Sequence, residues 1–183
     1  FSIKKEETVL TREVEQNPFV PADSVERAKV CEEILTMQAT GLATRLRHIN
    51  CKTAVVGLSG GLDSTLALIV AVHAFDMLGI SRKNIHTLTM PCFGTTDRTY
   101  QNACLMTQKL GATLREVNIK EAVRVHFRDI SHPEDKHDVT FENAQARERT
   151  QVLMDIANQT GGMVIGTGDM SELALGWATY NGD

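Results

Sequence analysis

From residue 53 onward, stretches of strand character alternate with stretches of helical period, and nothing else in this 183-residue chain restricts its fold as much. Strand signals fall at 53–58, 84–90, 113–119 and 163–166, and helical ones at 63–78, about 97–110, around 141–160 and from 171 to 177. Such alternation predicts an α/β fold: a mostly parallel sheet, helices on both faces, and ligands bound beyond the carboxyl ends of the strands. Upstream, Val25, Ala28, Cys31, Ile34, Leu35, Leu42 and Leu46 recur at roughly helical spacing, which predicts an amphipathic helix over 24–48 with Asp23 or Ser24 as its N-cap. Residues 1–23 are charged and aperiodic and end on Pro18 and Pro21, the pattern of an extended tether, so the domain proper is expected at 24–183. Residues 128–140 are polar without a period and read as a loop, either a lid that orders over substrate or a plain surface excursion.

Composition narrows the class of protein. With 42% hydrophobic and 23% charged residues the chain can bury one sizeable core. Its net charge of −4 argues against a general nucleic-acid binder, whose affinity rests on excess Lys and Arg. Cys31, Cys51, Cys92 and Cys104 form no Cys-x-x-Cys pair and lack His partners at zinc spacing, which predicts reduced, non-catalytic thiols. No apolar stretch is long enough to span a bilayer, and residues 1–7 lack the apolar core of a signal peptide; a cytoplasmic protein without membrane contact is expected.

Where the first strand signal gives way to a helix, the chain reads Gly57-Leu58-Ser59-Gly60-Gly61-Leu62-Asp63-Ser64. Glycines 60 and 61 let the backbone turn with positive φ and approach a ligand closely, and the amides that open the next helix point partial positive charge at an anion. Ser59 and Ser64 can add hydroxyl donors. Asp63 cannot neutralise a phosphate and makes sense as a ligand to a magnesium ion that phosphates also hold. No Lys-Ser or Lys-Thr follows the glycines, so this is not a Walker A loop. The competing reading is a helix start with glycines for a tight turn and Asp63 as a capping carboxylate.

The loop resembles the pyrophosphate loop of the N-type ATP pyrophosphatases, which include NAD synthetase, GMP synthetase, asparagine synthetase and the tRNA thiolation enzymes. That resemblance implies a Rossmann-like domain of the adenine nucleotide alpha hydrolase type that cleaves ATP between its α and β phosphates. Two later segments are similar to signatures of the NAD synthetases: Glu142-Asn143-Ala144-Gln145-Ala146-Arg147, and Gly166-Thr167-Gly168-Asp169-Met170-Ser171-Glu172. The stretch from Leu173 to Asp183 strengthens the match, and Asn17 to Pro21 resembles the tether that follows the glutaminase domain of the glutamine-dependent form.

The resemblance implies a ligase that amidates deamido-NAD to NAD, with ATP as substrate, magnesium as cofactor, ammonia from glutamine or free, and no covalent enzyme intermediate. It implies ATP contacts at 57–64, Met90 and Thr167, deamido-NAD contacts at Asn143, Arg147, Glu172, Trp177, Ala178, Thr179 and Tyr180, metal at Asp63 and Glu172, and a homodimer or larger homo-oligomer. The ammonia-dependent form carries Lys-Tyr-Gly-Asp where this chain has Thr179-Tyr180-Asn181-Gly182-Asp183, which points to the glutamine-dependent branch. A glutaminase domain before residue 1 and a further C-terminal segment after Asp183 are expected, leaving the fragment inactive by itself.

Each of these residues also has a plainer reading. Glu142 and Arg147 could be solvated helix charges. Thr167 or Ser171 could cap a helix with Glu172 facing its dipole. Trp177 and Tyr180 could be packing rather than a stack on a nicotinate ring. Met90 and Pro91, with Gly94, Thr95 and Thr96, form a plausible adenine rim at a strand end. His73, mid-helix among apolar residues, reads as a core histidine, and His126, His132 and His137 lack metal-ligand spacing. A tRNA thiolation enzyme or a non-catalytic nucleotide-binding module are the alternative functions.

Overall fold

The first three residues of β1 (Ala54–Gly57) are fully buried, as a strand with partners on both sides and cover on both faces requires. In the computed structural model β1 pairs in parallel with β2 (Ile85–Thr89) and β4 (Met163–Val164), and β2 pairs in parallel with β3 (Thr113–Glu116), giving the order β3-β2-β1-β4. The structure describes residue 9, residues 11–93 and residues 97–176, with Asp97 described by its backbone alone. Gly94, Thr95 and Thr96 of the expected adenine rim, and Trp177, Ala178, Thr179 and Tyr180, lie outside the described residues. The chain divides into two compact units, Phe1–Leu35 and Thr36–Asp183.

The helices are α1 (Ser24–His48), α2 (Leu62–Leu78), α3 (Asp97–Leu110), α4 (Lys120–Asp129), α5 (Val139–Thr160) and α6 (Met170–Leu175). Because Cβ atoms alternate along a strand, β1 feeds two cores. Ala54 and Val56 join Leu68, Val72 and Phe75 of α2, Ala103 of α3 and Leu46 of α1 on one face. Val55 joins Leu88 of β2 and Met90 just after it, Val123 and Phe127 of α4, and Phe141 and Ile156 of α5 on the other. A buried hydroxyl pair, Thr87 Oγ1 to Thr107 Oγ1 at 2.9 Å, ties β2 to α3, and Thr107 also donates to the Ala103 carbonyl. Among the described residues no helix is long and apolar enough to cross a membrane. All four cysteines are free thiols.

Within the first unit, Asp23 rather than Ser24 caps α1: its Oδ1 accepts from the amides of Val25 at 3.0 Å and Glu26 at 2.8 Å. The apolar stripe expected along the whole of α1 is buried only at Ala39, Ala43 and Leu46, while Val25 and Ile34 are exposed.

Three further differences from the expected layout have physical causes. The segment 120–129 is a helix, where the sequence pattern assigns no element to 120–127 and starts the loop at 128: Ile119, Val123 and Phe127 recur every four residues and are buried in a row. His73 is exposed, not in the core, because α2 turns Leu68, Ala71, Val72 and Phe75 to the sheet and leaves His73, Asp76 and Met77 on the opposite side.

The polar excursion is therefore confined to 130–138, and it is stapled. Asp138 caps α5 by accepting from the amides of Thr140 and Phe141, and it also pairs with His132 Nε2 and Lys136 Nζ, each at 3.0 Å. The Lys136 ammonium first, and then the Phe141 amide, hold its carboxyl well below the usual carboxylate range. The His132 ring packs on Phe127 and the His137 ring on Phe141, while Glu134 pairs with Arg124.

Candidate active site

At the carboxyl end of β1 the backbone leaves the sheet after Leu58, whose amide still donates to the Leu88 carbonyl at 2.7 Å. The turn then closes on itself. The Gly61 amide donates to Ser59 Oγ at 3.2 Å, Ser64 Oγ donates to the Gly61 carbonyl at 3.2 Å, and the two serine hydroxyls lie 3.1 Å apart. Ser64 is buried, so its hydroxyl acts as a strut inside the loop.

Gly61 is the N-cap of α2, and no side chain caps the helix there. The amides that open α2 thus face outward without a side-chain partner, with the positive end of the helix dipole behind them, which is the arrangement that binds an anion. Leu62 projects into solvent, and Asp63 is exposed and makes no ion pair with a described residue.

Two glycines let neighbouring elements close on this loop. A Cβ on Gly57 would lie 3.1 Å from Leu153 Cδ1 and 3.7 Å from Met90 Cε, so the start of the loop sits directly against α5 and the end of β2. Gly60 has φ +81°, and a Cβ there would stand 2.5 Å from the Thr99 carbonyl oxygen of α3. The first turn of α3 therefore abuts the loop backbone to backbone. Tyr100 secures that turn by donating its hydroxyl to Glu116 Oε2 at the end of β3, which raises the phenol well above its ordinary range.

The loop after β4 faces the first turns of α2 across an open cavity of about 490 Å³. Asp63, Leu66 and Val70 of α2 form one side, Thr167, Gly168 and Asp169 the other, and Gln38 of α1 also lines it. Thr167 and Asp63 thus line the same cavity. Glu172 is engaged otherwise: its Oε2 accepts from the Asp169 amide at 3.0 Å, and Asp169 Oδ1 accepts from the Glu172 amide at 2.8 Å, a reciprocal capping box at the start of α6. Neither Thr167 nor Ser171 is the cap; Asp169 is, and its spacing to Glu172 is the signal that could have found it.

α5 carries the remaining candidates. It contacts the loop base through Leu153, and Arg147 and Asn143 stand six and ten residues nearer its N-terminus, about 9 and 15 Å along the axis. They occupy one helix face, four residues apart, Asn143 half-buried and Arg147 exposed. Gln145 is buried instead and bonds the Phe141 carbonyl at 3.1 Å. Beyond Met90, burial pushes the Cys92 thiol above its ordinary range, which keeps it protonated. Among the described residues no group of three or more His, Cys, Asp or Glu could hold a metal ion.

A parallel sheet covered on both faces, with a glycine turn that delivers uncapped helix amides to its carboxyl edge, defines a Rossmann-like α/β domain. The chain belongs to the NAD synthase family, whose model matches residues 34–183. It is 49% identical over 175 residues to the glutamine-dependent NAD(+) synthetase of Mycobacterium tuberculosis, a match that covers 93% of this chain and 26% of that protein. The solved glutamine-dependent NAD+ synthetase of Acinetobacter baumannii, in complex with adenosine diphosphate, superposes with a TM-score of 0.75 at 29% identity, covering 82% of this chain and 28% of the other. The NH3-dependent NAD synthetase of Campylobacter jejuni follows with a TM-score of 0.70 at 26% identity, covering 82% and 62%. The chain spans about a quarter of the length of these curated relatives.

Proposed function

We propose that this chain is the ATP-handling part of a glutamine-dependent NAD synthetase, which amidates deamido-NAD to NAD and converts ATP to AMP and pyrophosphate. The observation that carries this reading is a cavity lined by both Asp63, in the uncapped first turn of α2, and Thr167 after β4, in a chain of this family. A carboxylate oxygen of the nicotinate attacks the α-phosphorus of ATP, and the bond to the β-phosphate oxygen breaks to release pyrophosphate. Ammonia then attacks the acyl carbon of the mixed anhydride, AMP leaves, and a proton passes to solvent. No side chain forms a covalent bond in this sequence.

The protein contributes position and fixed charge. The 57–64 loop holds the pyrophosphate, whose charge grows as it departs, Met90 borders the adenine, and Thr167 bonds the nucleotide. Asn143 and Arg147 overhang the site from α5, an amide able to donate and accept beside a forked cation suited to a phosphate or carboxylate of deamido-NAD. Glu172 holds metal or deamido-NAD, and Trp177, Ala178, Thr179 and Tyr180 complete the dinucleotide side on the strength of their sequence.

Asp63, exposed on the cavity and without an ion pair among the described residues, and the Glu172 carboxylate offer hard oxygens. One or two carboxylates plus substrate phosphates are the donors magnesium takes. When bound, the ion neutralises phosphate charge. The same reading places 1–23 as the tether after a glutaminase domain that supplies ammonia, with 24–183 as the synthetase portion, in a cytoplasmic homodimer or larger homo-oligomer.

Calorimetric titration of the full-length protein with ATP and magnesium checks the metal assignment. Asp63→Ala is expected to weaken binding by roughly tenfold or more, the worth of one charge-assisted ligand. Unchanged binding would remove the role given to Asp63.

A further inference from the structure

The 57–64 loop contains one carboxylate and no Lys or Arg, so it presents a nucleoside triphosphate with amide dipoles but no full positive charge. A divalent ion offsets only part of the triphosphate charge, and Arg147 approaches from α5, on the other face of the sheet from α2. A cation on the α2 side of the loop would complete the cradle.

The close approach of α3 supplies one. With the Thr99 carbonyl packed against Gly60, the preceding residue, Arg98, stands beside the turn. Arg98 is exposed and makes no ion pair with a described residue. It precedes Asn102 by four residues, Leu105 by seven and Lys109 by eleven, and these three line a groove with Gly60, Thr65 and Ile69. Helical spacing puts Arg98 at the head of that same stripe. Helical side chains lean toward the helix N-terminus, and in α3 that end lies at the carboxyl edge of the sheet, where the loop is.

We infer that Arg98 is a phosphate-contacting residue: its guanidinium closes over the Gly60 turn and binds the β and γ phosphates of the nucleotide, then the pyrophosphate that leaves. The inference rests on the proposed reaction only in its last clause. Its structural basis is the Gly60–Thr99 contact, and Tyr100, bonded to Glu116, keeps the α3 turn in place for it.

Direct binding of magnesium pyrophosphate and, separately, of AMP to the full-length enzyme provides the test. Arg98→Met, which keeps the aliphatic stem and removes the charge, is expected to lower pyrophosphate affinity by about ten- to a hundredfold and to change AMP affinity by less than about twofold. Arg98→Lys is expected to recover part of the loss as a point charge. Pyrophosphate affinity equal to the parent's would overturn the assignment, and so would equal losses for AMP and pyrophosphate, which would mark general damage to the loop. A parent enzyme that binds pyrophosphate through Arg98 but releases none with deamido-NAD would refute the proposed reaction and leave the phosphate contact standing.

Discussion

Gly60→Ala is expected to weaken ATP binding by the full-length protein a hundredfold or more while the sheet stays folded. A left-handed backbone costs an alanine roughly 1–2 kcal/mol, which by itself a domain of this size survives. At residue 60 the added Cβ also lands 2.5 Å from the Thr99 carbonyl oxygen, a backbone atom that no rotamer change can move away. Either the loop or the first turn of α3 must shift, and both displace the amides that open α2. Anion binding at a helix N-terminus depends on several such donors at once, so the expected loss is a hundredfold or more in affinity, roughly 3 kcal/mol. Gly111→Ala is the matched control. Gly111 has a similar φ of +78° but nothing within 4 Å of its added Cβ, so that variant should lose stability and bind ATP as the parent does. Calorimetry and thermal melting on the two variants separate strain from collision.

Phe75→Ala should destabilise the domain by roughly 3–5 kcal/mol, the usual cost of deleting a buried phenyl ring. Phe75 is 0% exposed and packs with Leu46, Leu68, Val72 and Ile85, so it joins α1, α2 and β2 in one cluster. The cavity has little chance to collapse, because a parallel sheet forms one wall. Since total stability is typically 5–15 kcal/mol, a loss of this size should be plain in the midpoint of a urea transition. Two residues on, Met77 is 52% exposed, and Met77→Ala should shift the same midpoint by no more than the effect of an ordinary surface change.

The contrast between Phe75 and Met77 also shows where a linear reading runs out. α2 is apolar nearly all round, including the exposed Leu62, Leu66 and Met77, so its pattern does not reveal which stripe faces the sheet. His73 was for that reason expected inside and is found outside. The strands, by contrast, were legible because runs such as Ala54-Val55-Val56 are short, apolar and bounded by turn residues. α4 was hidden by the charges of Lys120, Glu121, Arg124 and Arg128, which mask the buried spacing of Ile119, Val123 and Phe127.

Of the site, the glycine loop and its helix could be read from residue types alone, since backbone that must approach an anion admits few side chains. What could not be read is long-range. The Gly60–Thr99 contact joins residues far apart in the chain, and nothing local marks Arg98 as a neighbour of the loop. Glu172 shows the opposite difficulty: a carboxylate three residues after Asp169 suits both a capping box and a ligand, and the structure engages one of its oxygens in the first role.

The proposed reaction places the cavity lined by Asp63 and Thr167 in an enzyme that adenylates deamido-NAD. Pyrophosphate release by the full-length protein, followed with ATP and ammonium in the presence and absence of deamido-NAD, tests it most directly. Release that requires deamido-NAD, with AMP and NAD formed in equal amounts, is the predicted result. Release that proceeds without deamido-NAD, or none at all from the folded full-length protein, would contradict it.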